Sequence, residues 1–227
     1  NTNGSITSTV SANADAGFSI VSYTGTGVAN DTIGHGLTVA PELIIVKARS
    51  QVADWPVYCV EFTGSVLKLD QTAAKATGSQ FPTGPTSSVF YVGANAWGTN
   101  NTGITYISYA FHSVEGYSKV GSYTGNGSTD GTFVHCGFRP AYVMMKRTDS
   151  TGDWYVWDSV RNEYNLVTRN LVPNKSNAEF VGTSNYTLDF TSNGFKHRGS
   201  GGDVNASGGS YIYLAFAENP FKYTNAR

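Results

Sequence analysis

Apolar and polar side chains alternate along two short stretches of the chain, FSIVSYT at residues 18–24 and SKVGSYT at residues 118–124. This two-residue period is typical of a β-strand with two different faces. In the first stretch we expect Val21 and Tyr23 on one face and Phe18, Ile20 and Ser22 on the other. Short runs rich in Val, Ile, Tyr, Phe and Thr continue along the chain, separated by Gly, Asn, Asp and Pro. The pattern predicts an all-β protein in which only residues 72–76 and 176–179 suggest a helical turn.

The two stretches belong to a longer repeat. GFSIVSYTGTG, residues 17–27, recurs as GYSKVGSYTGNG, residues 116–127, and both copies close on similar strands, TYISYAF and SYIYLAF. A period of roughly 100 residues is too long for a solenoid repeat and suits a small domain. We therefore predict two tandem antiparallel β-sandwich units, of the jelly-roll or lectin-like kind, that arose by internal duplication.

The predicted boundaries are residues 1–16 for a linker or connecting strand, 17–115 for the first sandwich and 116–227 for the second. A single larger sandwich built from two equivalent halves is the alternative that the sequence leaves open. Since the first residue is Asn1 and not Met, we expect the chain to be a fragment or a processed piece of a longer protein.

Composition excludes several classes of partner. Only 14% of the residues are charged and the formal net charge is −1, so we expect no binding to nucleic acid. No apolar run approaches the roughly 20 residues that span a bilayer, so we expect no membrane insertion. Cys59 and Cys136 occupy non-equivalent positions of the repeat, which favours free, partly buried thiols, although one bridge between the repeats stays open.

Two repeated pairs of residues are candidates for chemistry. His35 and His135 recur at matching positions. The runs ELIIVKAR and AYVMMKR each contain a lysine near their end, Lys47 or Lys146, that should mark where the strand emerges. Without further ligands at suitable spacing, the histidines are best interpreted as turn residues bonded to nearby backbone, and we predict no metal and no cofactor. The Asp-Trp pairs at 54–55 and 153–154 are either sugar platforms or, as we favour, core tryptophans beside a capping aspartate.

Loop residues are the better candidates for ligand binding. Trp97 lies among turn residues in GANAWGTNNTG and has no counterpart in the second unit. A second polar group occurs in WDSVRNEYN, where a network that only holds a connection in place is the alternative. The predicted ligand-binding residues are Trp97, Asn95, Asn100, Arg161, Asn162 and Tyr164. We predict no catalytic residues, because no carboxylate pair has the spacing of a glycosidase and no hydrolase or phosphate-binding motif occurs.

Several strings resemble a family of domains from tail-fibre and other virion structural proteins of tailed phages, especially marine and cyanobacterial ones. They are GYSKVGSYTGNGSTDGTFVHCGFRPAYVMMKR, WDSVRN, SNGFKHR and YIYLAFAENPFKYTNAR, with TIGHGLTVAPELIIVKARS and DWPVY in the first unit. The resemblance implies a sandwich akin to concanavalin-type or laminin-G-type lectins and a place in the virion, at a tail fibre or on the particle surface.

The resulting prediction is a non-enzymatic phage protein that recognises a host cell-surface glycan or receptor. By analogy with fibre tips it would form a homotrimer and contact other virion subunits. The first alternative is a purely structural virion module, either a decoration protein or part of a fibre shaft. A polysaccharide depolymerase is a third hypothesis, which requires two carboxylates facing one groove.

Overall fold

The computed structural model describes residues 1–181 and 185–220. In the first half, the strands are β1 (Ser8–Asn13), β2 (Phe18–Thr24), β3 (Asp31–Gly34), β4 (Leu43–Ala48), β5 (Pro56–Cys59), β6 (Ser65–Lys68), β7 (Ala76–Thr77), β8 (Val89–Val92) and β9 (Thr105–Phe111). In the second half, they are β10 (Ser118–Thr124), β11 (Phe133–His135), β12 (Pro140–Arg147), β13 (Trp154–Asp158), β14 (Arg169–Asn170), β15 (Phe180–Val181), β16 (Leu188–Thr191), β17 (Gly194–His197) and β18 (Ser210–Ala217). The last residues of the phage-like string, 221–227, lie outside the described residues.

The fold is all-β, and every ladder between these strands is antiparallel. The described helical turns are a 3-10 helix at Val60–Phe62 and the four-residue helix α1 at Gly202–Asn205. The prediction of helical turns at residues 72–76 and 176–179 is wrong, since neither stretch is helical. Helix α1 lies instead in the glycine-rich stretch GSGGDVNASGGS, residues 199–210.

The chain divides into two compact units. The first contains Asn1–Gln71 and Lys75–His112, and the second contains Thr72–Ala74 and the chain from Ser113 onward. Strand β1 pairs with β2 along its whole length, and Ile6 is part of the first core. The stretch predicted as a linker or connecting strand therefore belongs to the first unit.

Each unit has a large sheet and a smaller one with apolar side chains between them. In the first unit the large sheet has the order β1-β2-β9-β4-β5-β6-β7, and β3 pairs with β8. The core between them includes Val21, Tyr23 and Tyr106 from the large sheet and Ile33 and Phe90 from the small one. The alternation of FSIVSYT explains this, because Ser19, Val21 and Tyr23 are buried while the residues between them are only half-buried.

In the second unit the large sheet has the order β10-β18-β12-β13, and the smaller one β11-β17-β16. A further pair, β14-β15, connects β13 to β16 along the chain. The core includes Tyr123, Tyr211 and Tyr213 from the large sheet, together with Val134 and Phe195 from the smaller one. The strand order β10-β18-β12-β13 repeats the order β2-β9-β4-β5 of the first unit.

The lysines at the ends of the β4 and β12 runs differ in environment. Lys47 is half-buried, donates to the carbonyl oxygen of Ala53 at 2.7 Å and lies 5.1 Å from the ring of Trp55. Lys146 is fully buried, so the prediction that it marks where the strand emerges is wrong. Its ammonium donates to the carbonyl oxygen of Arg147 at 2.7 Å, and burial lowers its pKa to about 8.

Candidate functional site

The loop of residues 93–104 joins β8 to β9 in the first unit and is fastened by one buried side chain. The Oδ1 atom of Asn100 accepts hydrogen bonds from the backbone N–H groups of Thr26 and Gly27, at 3.0 and 3.4 Å. Its Nδ2 atom donates to the carbonyl oxygens of Val28 and Gly93, both at 2.9 Å. The side chain of Asn100 is completely buried. All the hydrogen bonds that this side chain can form are therefore used, and they connect the loop to its own beginning at Gly93 and to the turn after β2.

Asn100 was a predicted ligand-binding residue, and the structure corrects that prediction. A side chain with no exposed surface and four backbone partners has no group left for a ligand. The same burial makes it costly to disturb, because an unpaired amide or carbonyl inside a protein costs about 1–3 kcal/mol. Asn100 therefore holds the loop in one conformation, and it acts on any ligand only through the loop.

The second unit contains a similar buried asparagine. Asn205, at the end of α1, is also completely buried. Its Oδ1 accepts from the backbone N–H of Asn126 at 3.0 Å, and its Nδ2 donates to the carbonyl oxygens of Ser128 and Gly199 at 2.9 and 3.0 Å. The turn after the first strand of the large sheet is thus bound to a distant loop by a buried asparagine in each unit.

Stacked tyrosines reinforce both loops from the core side. The ring of Tyr23 stacks on Tyr106 with centroids 5.2 Å apart, and that of Tyr123 stacks on Tyr211 at 4.8 Å. The hydroxyl of Tyr23 donates to the carbonyl oxygen of Thr99 at 2.8 Å, one residue before Asn100. The hydroxyl of Tyr123 makes the equivalent bond, at 2.7 Å, one residue before Asn205.

Trp97 stands at the tip of the fastened loop with 52% of its surface exposed. The next residue, Gly98, has φ = 85°, a conformation that glycine adopts without strain. A Cβ atom on Gly98 would also lie 2.7 Å from the ring of Pro56. The loop therefore turns sharply behind the indole and leaves half of it exposed to solvent.

Asn95 lies beside Trp97 on the same loop and is exposed, with φ = 41°. Its backbone N–H donates to the carbonyl oxygen of Gly27 at 3.0 Å, so the backbone is fixed while most of the side chain is accessible. Its Oδ1 accepts a long bond, 3.4 Å, from the hydroxyl of Thr102. Thr102 donates a shorter bond, 2.9 Å, to the carbonyl oxygen of Thr26. Asn95, Trp97 and Thr102 are thus exposed residues of one loop.

The second predicted group does not form a comparable site. Arg161 is paired with the carboxylates of Asp158 and Glu179, and Arg169 pairs with Glu179 at 2.8 Å. The Oδ1 atom of Asn162 accepts backbone N–H bonds from Thr168 and Arg169, at 3.0 and 2.9 Å. Both predicted residues therefore hold the long connection between β13 and β14, which is the alternative that the sequence left open.

Tyr164 is the remaining member of that group, and it is 81% exposed. It lies among other exposed apolar residues of the same connection, including Val160 at 84% and Leu166 at 42%. The structure thus separates Tyr164 from the polar network of Arg161 and Asn162. It belongs to an exposed apolar stretch.

The Asp-Trp pairs are structural at both positions. Trp154 is buried with only 1% of its surface exposed, and Asp153 pairs with Lys175 at 2.5 Å. In the first unit, Asp54 pairs with Lys68 at 2.7 Å, and Trp55 lies half-buried under Lys47. Each carboxylate therefore has a cationic partner, Trp154 is a core residue, and Lys47 lies over the ring of the half-buried Trp55.

A polar cleft of about 210 Å³ lies in the first unit at the same end of the large sheet as the Trp97 loop. Its lining comes from three neighbouring strands and the residue after β4, namely Thr7, Ser8, Thr9, Ser22, Tyr23, Thr24, Arg49, Thr105 and Tyr106. Sequence reasoning missed it. An isolated arginine and scattered threonines carry no motif, and only the pairing of the strands brings them together.

A family model for a domain of unknown function, DUF7483, matches residues 1–220. The chain belongs to the DUF7483 family. The matched span includes β1, which lines the cleft, and the described strands of both units. No curated protein and no solved structure matches the chain.

The histidines of this DUF7483 chain are not equivalent in the way that the sequence suggested. Gly36 and Gly137 have φ values of 72° and 85°, and each lies two residues after the end of the corresponding strand, β3 or β11. The residues directly before them are His35, which is completely buried, and Cys136. His135 lies one position earlier and is exposed. The match between His35 and His135 is therefore wrong by one residue.

His35 does have the predicted structural role. Its Nδ1 accepts the backbone N–H of Leu37 at 3.1 Å, and its Nε2 lies 3.1 Å from the carbonyl oxygen of Thr86, to which it donates. Burial lowers its pKa, and the bond to Thr86 opposes that shift. A neutral ring bonded to backbone on both sides holds a turn.

Sequence analysis missed His197, which is completely buried and has no hydrogen-bond partner on either ring nitrogen. Its ring lies against Tyr123 at 5.1 Å and edge-on to Phe195 at 5.7 Å. Burial lowers its pKa to about 3. The ring is therefore neutral at physiological pH and packs as an aromatic core residue.

Cys59 and Cys136 are free and buried, as favoured from their unmatched positions. Burial raises the pKa of each thiol to about 12, so neither is a reactive thiolate at neutral pH. Within residues 1–181 and 185–220, no group of three His, Cys, Asp or Glu side chains could hold a metal ion. None of the helices in these ranges is long and apolar enough to cross a membrane.

Proposed function

We propose that this protein is a non-enzymatic binding module of a tailed-phage virion that recognises a host cell-surface glycan through the loops of its first unit. The observation that carries the proposal is the half-exposed indole of Trp97 on a loop whose backbone is fastened by Asn100. The virion setting, at a tail fibre or on the particle surface, rests on the resemblance of the quoted strings to phage structural proteins.

The physical argument is preorganisation. The apolar face of a sugar ring packs on an exposed aromatic, while its hydroxyls bond to amides and hydroxyls such as those of Asn95 and Thr102. Because Asn100 has already ordered the loop, little conformational entropy is lost when a ligand binds. A single small site of this kind binds weakly, so the proposal includes several copies in the virion, as a homotrimer, to raise the avidity.

The same proposal includes two tandem antiparallel sandwiches derived by duplication. It is supported by the common strand order of β2-β9-β4-β5 and β10-β18-β12-β13. It is further supported by the buried asparagines, Asn100 and Asn205, which bond to the same turn in each unit. The exposed tryptophan has no counterpart in the second copy, which supports recognition by the first unit alone.

The experiment is a glycan array and a host-cell binding assay with a multimerised protein. We expect Trp97→Ala and Trp97→Leu to reduce binding at least tenfold, about 1.4 kcal/mol. Leucine retains apolar contacts with the loop but removes the aromatic face, so it separates stacking from loop stability. Phe133→Leu is the matched control, because Phe133 is a 44% exposed aromatic on β11 of the second unit.

Two outcomes would refute the proposal. If neither the array nor host cells retain the multimerised wild type, glycan recognition is wrong. If the wild type binds and both Trp97 variants bind equally well, the site is elsewhere. Retained binding by Phe133→Leu together with loss in both Trp97 variants would support the proposal.

The exposed apolar side chains between β13 and the end of β15 favour the structural alternative, a virion module that contacts neighbouring subunits. Val160, Tyr164 and Val181 expose 84%, 81% and 64% of their surface, and grouped exposed apolar residues often mark protein contacts. In that case, a mass measurement in solution should give an oligomer that Val160→Asp dissociates. A monomeric wild type at high concentration would exclude such a contact between copies.

A further inference from the structure

We propose that the cleft beside Arg49 binds a single sugar residue that carries a carboxylate, such as a uronic acid. This proposal extends the glycan recognition proposed above to an acidic class of ligand, and it rests on that function.

The cleft places hydroxyls from separate strands around one guanidinium. In the sheet register, Thr9 is opposite Ser22, and Thr24 is opposite Thr105. The backbone N–H of Arg49 donates to the carbonyl oxygen of Thr105 at 2.7 Å, which places the arginine next to this row. Neighbouring strands are about 4.8 Å apart, so these side chains line a space a few strands wide.

Arg49 differs from the other arginines in the described part of the chain. Each of the others pairs with a carboxylate, namely Arg139, Arg147, Arg161, Arg169 and Arg198. Among residues 1–181 and 185–220, the guanidinium of Arg49 has no ion pair and no side-chain hydrogen bond. It is exposed. Its planar guanidinium can therefore donate two parallel hydrogen bonds to the two oxygens of a ligand carboxylate.

The hydroxyls of the cleft are also available. In the same ranges, the side-chain oxygens of Thr7, Thr9, Ser22, Thr24 and Thr105 form no hydrogen bond. A hydroxyl both donates and accepts, so a row of them matches the hydroxyls of a sugar ring. Pockets for drug-sized ligands measure about 300–1,000 Å³. A cleft of about 210 Å³ therefore suits one monosaccharide residue.

The second unit lacks these features at the equivalent place. Thr148 occupies the position that corresponds to Arg49. Its backbone N–H donates to the carbonyl oxygen of Ser210 at 2.8 Å, just as the backbone N–H of Arg49 donates to that of Thr105. The hydroxyl of Thr148 is bonded to the same oxygen at 3.1 Å. In the described residues, no strand pairs with the free edge of β10 as β1 does with β2. In the first unit, β1 and Arg49 are added to the common sheet, and together they line the cleft.

The test is a titration of the full chain with small ligands, monitored by the NMR chemical shifts of the protein amides. The probes are glucuronate, galacturonate, glucose, inorganic sulfate and inorganic phosphate. We expect the two uronates to shift the amides of residues 7–9, 22–24 and 105–106, with glucose binding at least tenfold more weakly. Arg49→Met should weaken uronate binding at least tenfold, and Arg49→Lys should give an intermediate loss because the charge stays but the fork is removed.

Lys75→Met is the matched control, since it removes one exposed positive charge elsewhere in the first unit. It should leave uronate binding unchanged. Equal binding of sulfate, phosphate and uronates would overturn the proposal in favour of a simple anion site. No uronate binding at this cleft, with glycan binding at Trp97 intact, would overturn it without affecting the proposed function. If the protein bound no glycan at all, both the uronate site and the proposed glycan recognition would be wrong.

Discussion

Replacing Asn100 by aspartate is the most direct test of the claim that one buried side chain holds the candidate site. The change keeps the size and shape of the side chain but converts its two N–H donors into an acceptor oxygen. The bonds to the carbonyl oxygens of Val28 and Gly93 are lost. An oxygen then faces two other oxygens at the former hydrogen-bond distance of 2.9 Å.

The expected destabilisation follows from these contacts. Two lost bonds contribute about 1 kcal/mol each, and two unsatisfied carbonyls beside a buried negative charge add more. We expect a total of about 3–5 kcal/mol for Asn100→Asp. Domains are stable by only about 5–15 kcal/mol, so the first unit should be close to unfolding. Because burial disfavours the charged form, the loss should diminish as the pH is lowered and the introduced carboxyl is protonated.

The measurement combines urea unfolding with amide hydrogen exchange read by mass spectrometry. Exchange should increase in peptides covering residues 24–30 and 93–104, while peptides of the second unit stay protected. Asn205→Asp should give the mirror result in the second unit, since it loses bonds to Ser128 and Gly199. Asn95→Asp is the control, because that side chain is exposed and aspartate tolerates a positive φ.

The proposed role of Asn100 would be refuted if the free energies of unfolding of Asn100→Asp and Asn95→Asp differed by less than about 0.5 kcal/mol, the usual range for surface changes. Uniform acceleration of exchange across both units would also contradict it, because the hydrogen bonds of Asn100 lie within the first unit. A selective loss of the 93–104 loop is the result that supports its role.

Two further predictions concern buried groups. The folded pKa of His197 is about 3, below the unfolded value of about 6.5, so the unfolded chain binds more protons between these values and stability falls as the pH drops through this window. Between pH 7 and pH 4.5, the free energy of unfolding should therefore fall by up to about 2.7 kcal/mol less in His197→Phe than in the wild type, as measured by urea unfolding. An equal fall in both proteins would contradict this. The buried thiols of Cys59 and Cys136, each with a pKa of about 12, should resist a thiol reagent at pH 8 until denaturant is added, and stoichiometric labelling of the native protein within seconds would show that they are accessible.

Local sequence was sufficient for the character of the individual strands. The alternation in FSIVSYT predicted that Val21 and Tyr23 share a face, and both are in the core. Positional matching was less reliable where it depended on a single residue. His35 and His135 share a number offset of one hundred but not a position in the fold, because the glycine with positive φ comes one residue later in the second unit.

The candidate site was only partly accessible to sequence reasoning. Trp97 was found because an aromatic among turn residues, absent from the other copy, stands out. Asn100 was found but given the wrong role, because its partners Thr26 and Val28 lie 74 and 72 residues away in the chain. Arg49 was missed altogether, since nothing in its own neighbourhood indicates a ligand.

The sequence by itself determined that this chain is all-β and that one strand-and-turn pattern occurs twice, at residues 17–27 and 116–127. These properties depend on side-chain period and composition, which are local. Only the tertiary structure decided which polar residues are buried and which remain available. The physical reason is that a hydrogen bond or an ion pair depends on distance in space, and the pairing of antiparallel strands brings together residues that the chain keeps far apart.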